Sequence, residues 1–75
     1  MKMTLIYIGM DSCDRPVYKD ENGRLWKDVD PRSNREPDLC TSYNNEFEGE
    51  PDTNMCYMKS YNDVEVEFIS HRVTW

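Results

Sequence analysis

An Asn-Gly pair ending at Gly23 constrains the fold of this chain more than any other feature of its sequence. The pair separates the β-prone runs PVY and LWKDV and predicts a β-hairpin over residues 15–29. A two-residue loop would set a lysine opposite each large ring. A three-residue loop, with Gly23 in the left-handed conformation of a bulge, instead sets Tyr18 opposite Trp26 and an aspartate opposite an arginine. Such pairs contribute about 0.2–1 kcal/mol each, so we favour the three-residue loop.

The two rings of this hairpin are also the best candidates for the centre of the core. Tyr18 and Trp26 can each bury roughly 150–250 Å² of surface. Because a chain of 75 residues has a thin core, we expect these two side chains to anchor it. Pro16 cannot donate a ladder hydrogen bond, so the first arm of the hairpin should begin a strand or lie at a sheet edge.

Patterns elsewhere in the chain predict further strands. Residues 2–10 are apolar on both faces, which is typical of a central strand that is covered on both sides. Residues 64–68 (VEVEF) alternate cleanly, so the valines and the phenylalanine should point inward and the glutamates into water. A short strand is also predicted over residues 39–43.

Residues 53–61 allow two interpretations. Met55, Met58 and Tyr61 recur there at helical spacing behind an N-cap candidate at Asp52 or Thr53, whereas the alternation of Met55 and Tyr57 would equally allow a strand; we favour a short helix. Leu39 and Phe47 are expected to pin the polar loops to the body. The predicted fold is a single small α+β domain over residues 1–75. It consists of a mostly antiparallel β-sheet, curved or barrel-like, with a central hairpin and at most one short helix.

The net charge of the chain makes some classes of binding partner less favourable than others. Fifteen acidic residues against nine basic residues give a formal net charge of −6. This charge disfavours direct binding to nucleic-acid phosphates or anionic membranes, which need clustered lysine and arginine, and it favours a basic partner. Mean hydropathy is −0.92, but 12% of the residues are aromatic, and disordered segments are poor in aromatic residues. We therefore expect a folded domain.

The lack of a recognisable targeting signal and the pattern of the cysteines together predict a cytoplasmic protein. No apolar run approaches the length of about 18 residues that spans a membrane, and the apolar N-terminal run lacks the small-residue cleavage site of a signal peptide. The three cysteines are scattered and odd in number, which does not make a disulfide framework.

The residue patterns predict neither a cofactor nor a reaction. Cys13, Cys40, Cys56 and His71 match the ligand count of a Cys₃His zinc site, but such sites usually pair ligands a few residues apart, and here no two lie close. A calcium-loop pattern starts at Asp28 but lacks its glycine and its terminal glutamate. Nucleophile motifs and phosphate loops are absent from the sequence. We therefore expect a protein that is not an enzyme and carries no metal.

Aromatic and acidic side chains are the strongest candidates for a binding surface. Tyrosine, tryptophan and arginine are frequent interface hot spots, and residues 46–52 are dense in carboxylates. The ordinary alternatives are core packing for the rings and a solvated loop for the carboxylates. The ring of Trp75 should dock on the body of the domain or on a partner. The predicted partner-binding residues are Tyr18, Trp26, Arg15, Glu48, Glu50 and Asp52.

Two segments carry a resemblance to a known group of domains. The pattern D-x-x-x-R-P-V-Y-x-D-x-x-G-R-L-W-K-D-V, which begins at Asp11, and the tetrapeptide GEPD at residues 49–52 resemble small uncharacterised bacterial domains of the large polyvalent protein-associated kind. The similarity covers residues 5–68. It implies a setting linked to a mobile element or phage, and it implies no activity and no catalytic residue.

These observations together predict a non-catalytic protein-interaction or accessory module that presents aromatic and acidic surface to another protein. Two alternatives stay open. One is an acidic decoy that imitates nucleic acid, which would need the carboxylates of residues 46–52 and of Glu65 and Glu67 to line one face. The other is a small metal-binding protein.

Overall fold

A computed structural model describes residues 2–69 and 71–74, and these residues form one six-stranded sheet. The strands are β1 (Lys2–Met10), β2 (Pro16–Asp20), β3 (Leu25–Asp28), β4 (Leu39–Ser42), β5 (Pro51–Asn54) and β6 (Glu65–Phe68). They lie in the order β5-β4-β3-β2-β1-β6. Neighbouring strands are antiparallel except β1 and β6, which run parallel. The predicted Trp75 contact falls outside the described residues.

This architecture confirms a small, mostly antiparallel sheet and corrects the barrel-like form that the sequence suggested. After β5 the chain crosses back over one face of the sheet and adds β6 to the outer side of β1. β5 and β6 are therefore two separate edges, and the sheet is open. The crossover makes β6 parallel to β1, an arrangement that the alternating pattern of residues 64–68 does not reveal.

The short helix predicted within residues 53–61 is wrong, and with it the α component of the fold class. β5 runs to Asn54 and is followed by two single 3₁₀ turns, Met55–Tyr57 and Lys59–Tyr61. The Asn54 side chain accepts the Cys56 N–H at 3.0 Å, and Met58 between the turns is extended, with φ −106° and ψ 107°. The extended backbone at Met58 interrupts the run between the two turns, and none of the described residues is α-helical.

The turn between β2 and β3 is organised by Asp20. Its backbone N–H donates to the Arg24 carbonyl at 3.0 Å and its carbonyl accepts the Gly23 N–H at 3.0 Å, while Gly23 has φ 84°. The loop therefore has three residues, and Tyr18 lies opposite Trp26 in the ladder. The Asp20 carboxylate accepts the Arg24 N–H at 2.9 Å and the Trp26 indole N–H at 3.0 Å. One side chain thus closes the turn and fixes the largest ring of the core.

Tyr18 and Trp26 anchor the core, as the sequence predicts. Both are completely buried, and they form a cluster with Met3, Leu5 and Leu39. The crossover and β6 cover this face, which we call the core face. Side chains that pack on it are Tyr7, Met55, Met58, Tyr61, Val64, Val66 and Phe68. The predicted inward direction of the two valines and the phenylalanine is thereby confirmed, and the intervening glutamates are exposed.

The opposite face of the sheet, which we call the second face, is covered over only part of its width. The prediction that β1 is covered on both sides is wrong, because Ile6 is 51% and Ile8 is 41% exposed. The connection 43–50 covers part of this face: its Phe47 ring packs against Gly9 and its Asn45 binds the backbone of Leu25. These contacts place the connection over β3 and the end of β1.

Candidate protein-binding surface

Three isoleucines lie on the uncovered part of the second face. Ile6 and Ile8 alternate along β1 with Tyr7, whose ring contacts the core ring of Tyr18 at a centroid distance of 5.8 Å. Ile69 follows β6 and donates its N–H to the Leu5 carbonyl at 2.9 Å, which continues the parallel pairing and sets Ile69 beside Ile6. Ile69 is 54% exposed. We call Ile6, Ile8 and Ile69 the isoleucine patch.

Polar side chains border the isoleucine patch. The Lys2 ammonium lies 2.6 Å from the Glu67 carboxylate, and this hydrogen bond raises the pKa of Lys2. The Glu21 carboxylate accepts the Thr4 hydroxyl at 2.7 Å and the Thr4 N–H at 2.8 Å, which lowers the pKa of Glu21. Lys19 lies opposite Ile6. An apolar centre with a polar rim is the usual composition of a protein interface.

The covered part of the second face is closed by two asparagines and a phenylalanine. Asn44 and Asn45 both have φ 55°, a left-handed conformation that asparagine tolerates better than most residues. This backbone lets the Asn45 side chain accept the Leu25 N–H at 2.7 Å and donate to the Gly23 carbonyl at 3.0 Å. The connection 43–50 is therefore fixed to the hairpin by specific bonds.

A buried ion pair lies beneath this connection. The Lys27 ammonium, with no exposed side-chain surface, donates to Asp11 Oδ2 at 2.6 Å and to the Phe47 carbonyl at 2.8 Å. Asp11 also accepts Arg15 Nε at 2.9 Å and the Cys13 N–H at 3.0 Å. Burial alone would raise the pKa of Asp11, but the hydrogen bonds from Lys27, Arg15 and Cys13 outweigh it and lower the pKa to about 2. Because each charge is buried with its partners, the loss of either one would leave the other uncompensated in the interior.

The structure brings together only some of the predicted partner-binding residues. Tyr18 and Trp26 are inside the core and have no exposed surface for a partner. Arg15 lies 3.7 Å from the exposed Glu50 carboxylate. Glu48 accepts the Ser12 N–H at 2.8 Å, which lowers the pKa of Glu48. Asp52 lies on β5, where it lines a polar groove of about 600 Å³ beside the β2–β3 turn that none of these three residues lines.

The thiols do not gather into a site. Cys13 and Cys56 are exposed, while Cys40 is buried on β4, and burial raises the pKa of the Cys40 thiol. The ring of His71 lies against Tyr7 at a centroid distance of 5.6 Å. Within residues 2–69 and 71–74, no group of three or more histidine, cysteine or acidic side chains is placed to hold a metal ion.

Asp28 is a further buried carboxylate, on the core face, in addition to Asp11 and Asp20. Its side chain has no exposed surface and lies 3.9 Å from Arg72. Burial raises the pKa of Asp28, although the N–H groups of Asp30 and Asp38 act in the opposite direction. Burial likewise raises the pKa of the nearby Tyr18 hydroxyl. Sequence reasoning missed this contact because its partners are far apart in the chain.

Sequence reasoning also missed the isoleucine patch. A run that is apolar on both faces is the pattern of a strand with two covered faces, so Ile6 and Ile8 were assigned to the interior. The usable signal is the asymmetry of β1, because its inward side carries only apolar or aromatic side chains (Met3, Leu5 and Tyr7), whereas Lys2 and Thr4 precede the isoleucines on the other side.

Comparisons with known proteins add no relative to this description. A scan against protein-family models, a search of curated proteins and a search of solved structures each gave no match to the chain. In the part of the chain that is described, no helix is both long and apolar enough to cross a lipid bilayer.

Proposed function

We propose that this chain is a non-catalytic module that binds another protein through the isoleucine patch. The observation that carries the proposal is the exposure of Ile6, Ile8 and Ile69, which are 51%, 41% and 54% exposed on neighbouring strand segments. Single exposed apolar residues are ordinary, whereas three on neighbouring strand segments with a polar rim have the composition of a protein interface. Complete burial of an isoleucine stabilises by about 1.5–3 kcal/mol, so burying the exposed half of each contributes about 1 kcal/mol.

The acidic residues have a supporting part in this proposal. With a net charge of −6, the domain attracts a basic partner over distances of about 10 Å at moderate salt and accelerates encounter. Glu48, Glu50 and Asp52 are exposed and belong to this field. Complementary charge of this kind raises the association rate more than the affinity, so we assign the affinity to the isoleucines.

The described contacts favour this function over the two alternatives. A decoy of nucleic acid needs free carboxylates in a row, whereas Glu67 is paired with Lys2 at 2.6 Å and Glu50 faces Arg15 at 3.7 Å. A metal-binding protein needs converging donors, and the described residues supply no group of three. The resemblance of residues 11–29 and 49–52 to mobile-element-linked domains supports an accessory role in the bacterial cytoplasm, in the setting of a mobile element or phage.

The test is affinity capture from cells of the source organism with four versions of the chain. These are the wild type, Ile6→Asp, Val29→Asp and the double variant Glu48→Gln/Glu50→Gln. Val29 is 37% exposed and lies outside the isoleucine patch, so its variant is the matched control for adding a charge to an exposed apolar position. Circular dichroism first establishes that each variant is folded.

We expect the wild type, the Val29 variant and the double variant to capture the same protein, and the Ile6 variant to lose it. Raising the salt concentration to about 0.5 M shortens the Debye length to a few Å and should leave the captured amount within about twofold. Capture that survives Ile6→Asp but disappears at high salt would contradict the proposal and support the acidic decoy.

A further inference from the structure

Residues 71–74 form a strap across the core face, on the side of the sheet away from the isoleucine patch. The His71 ring lies 5.6 Å from the Tyr7 ring. The Arg72 guanidinium donates to the Arg32 carbonyl at 3.1 Å, and the Val73 N–H donates to the Tyr18 hydroxyl at 2.9 Å. Each of these contacts joins the strap to a residue at least 40 positions earlier in the chain, so the strap is held by tertiary contacts alone.

The part of the core face that the strap covers, which we call the recess, contains an unsatisfied carboxylate. Asp28 Oδ1 accepts the N–H groups of Asp30 and Asp38, both at 3.1 Å. Asp28 Oδ2 is buried and has no hydrogen-bond partner in the described part of the chain, and the same is true of Arg72 Nε. The Arg72 Nη2 atom is 3.9 Å from Asp28 Oδ2, which is too far for a hydrogen bond. An arginine and a carboxylate therefore face each other without the two parallel bonds that such a pair can form.

We propose that this recess binds an extended peptide segment that carries an arginine, and that residues 71–74 occupy it as a displaceable internal ligand. The recess offers what such a segment needs. Asp28 Oδ2 is an open acceptor for a guanidinium, the Tyr7 ring is a flat wall, and the Tyr18 hydroxyl accepts a backbone N–H. This inference does not rest on the function proposed above, because it concerns the opposite face of the sheet.

The geometry explains why a partner could replace the strap. The strap is tethered, so its local concentration is high, in the millimolar range for a short connection. The same tether restrains Arg72, which reaches the Arg32 carbonyl at 3.1 Å but stays 3.9 Å from Asp28 Oδ2. An arginine on a separate segment has no such restraint and can form the bidentate pair. A change that weakens the strap should therefore open the site.

The experiment uses the full chain and its Arg72→Ala variant, each labelled with ¹⁵N. The probe is the tetrapeptide His-Arg-Val-Thr, blocked at both ends, and its counterpart with alanine in place of arginine, both titrated to millimolar concentration. We expect the Arg72→Ala chain to bind the arginine peptide at least tenfold more tightly than the wild type does. We also expect it to prefer the arginine peptide over the alanine peptide at least tenfold.

Equal affinity of the two chains, equal affinity of the two peptides, or no binding at all would overturn the proposal. Asp28→Asn in the Arg72→Ala background should remove the preference for arginine. Because that double variant can fail to fold, hydrogen exchange supplies a second readout on Arg72→Ala alone. The Val73 amide should exchange at least tenfold faster than in the wild type, while the amide of Leu5 keeps its rate. Unchanged exchange at Val73 would show that the strap is not displaceable and would overturn the proposal.

Discussion

Replacing Lys27 by methionine should cost more stability than any surface substitution, because it removes one member of a buried ion pair. The ammonium is completely buried and donates to Asp11 at 2.6 Å and to the Phe47 carbonyl at 2.8 Å. Methionine fills the same volume without a charge or a donor. Asp11 then keeps its bonds from Arg15 and Cys13, whereas the Phe47 carbonyl loses its side-chain donor.

The size of the effect follows from the environment. Removing one partner of a buried pair typically destabilises by about 3–5 kcal/mol, and the bonds that Asp11 retains favour the lower half of that range. A domain of this length has a total stability of about 4–11 kcal/mol. Since 1 kcal/mol changes Tm by about 4–8 °C in a domain of this size, we expect Tm to fall by at least about 12 °C.

Urea unfolding followed by circular dichroism measures this change for Lys27→Met. The matched control is Lys59→Met, because Lys59 is an exposed lysine outside the ion pair, and its variant should stay within about 0.5 kcal/mol of the wild type. Combined with Asp11→Asn, the Lys27 variant should show a coupling energy above about 1 kcal/mol. A loss below about 1 kcal/mol for Lys27→Met, or additive effects in the double variant, would refute the buried-pair account.

Three further predictions concern the same framework. The pKa of Asp11 is lowered from its ordinary value of 3.8 to about 2. The ionised carboxylate therefore contributes about 2 kcal/mol to the free energy of unfolding above pH 3.8, and this contribution is lost as the pH falls toward 2. Urea unfolding across this pH range should show the loss in the wild type and not in Asp11→Asn. Trp26→Phe removes the indole N–H and should cost about 1–3 kcal/mol in chemical unfolding, whereas Trp26→Ala should cost about 3–5 kcal/mol; near-neutral results would place this ring outside the core. Both Gly9, with φ 141°, and Gly23, with φ 84°, have a backbone that strains an alanine, but only at Gly9 would the added Cβ meet a neighbour, the Phe47 ring at 3.1 Å. Gly9→Ala should therefore lower Tm more than Gly23→Ala. Equal losses of Tm would mean that backbone strain alone determines the effect.

Local chemistry made part of this fold predictable. The pairing of Tyr18 with Trp26 depends on loop length, and loop length depends on a glycine that accepts positive φ, so both can be derived from adjacent residues. The alternation of residues 64–68 likewise gave the inward side of β6. Helical spacing in residues 55–61 did not produce a continuous helix, and the backbone is instead extended at Met58 between two single 3₁₀ turns.

Long-range contacts account for what the sequence did not reveal. Lys27 is buried because Asp11 and the Phe47 carbonyl, 16 and 20 positions away, converge on its ammonium. Alternation alone would place a strand lysine in water. The strap depends on Arg72 donating to the Arg32 carbonyl, 40 positions earlier in the chain, and the isoleucine patch depends on which strands the connection 43–50 covers. The hydrophobic periodicity of neighbouring residues predicts none of these three features.

Photo-crosslinking tests the central claim, the use of the isoleucine patch as a binding surface, most directly. A photoreactive amino acid replaces either Ile8, inside the patch, or Tyr57, which is 81% exposed on the core-face side, and each chain is irradiated in a lysate of the source organism. We predict a crosslinked partner from position 8 and none from position 57. A partner crosslinked from position 57 and not from position 8 would contradict the claim.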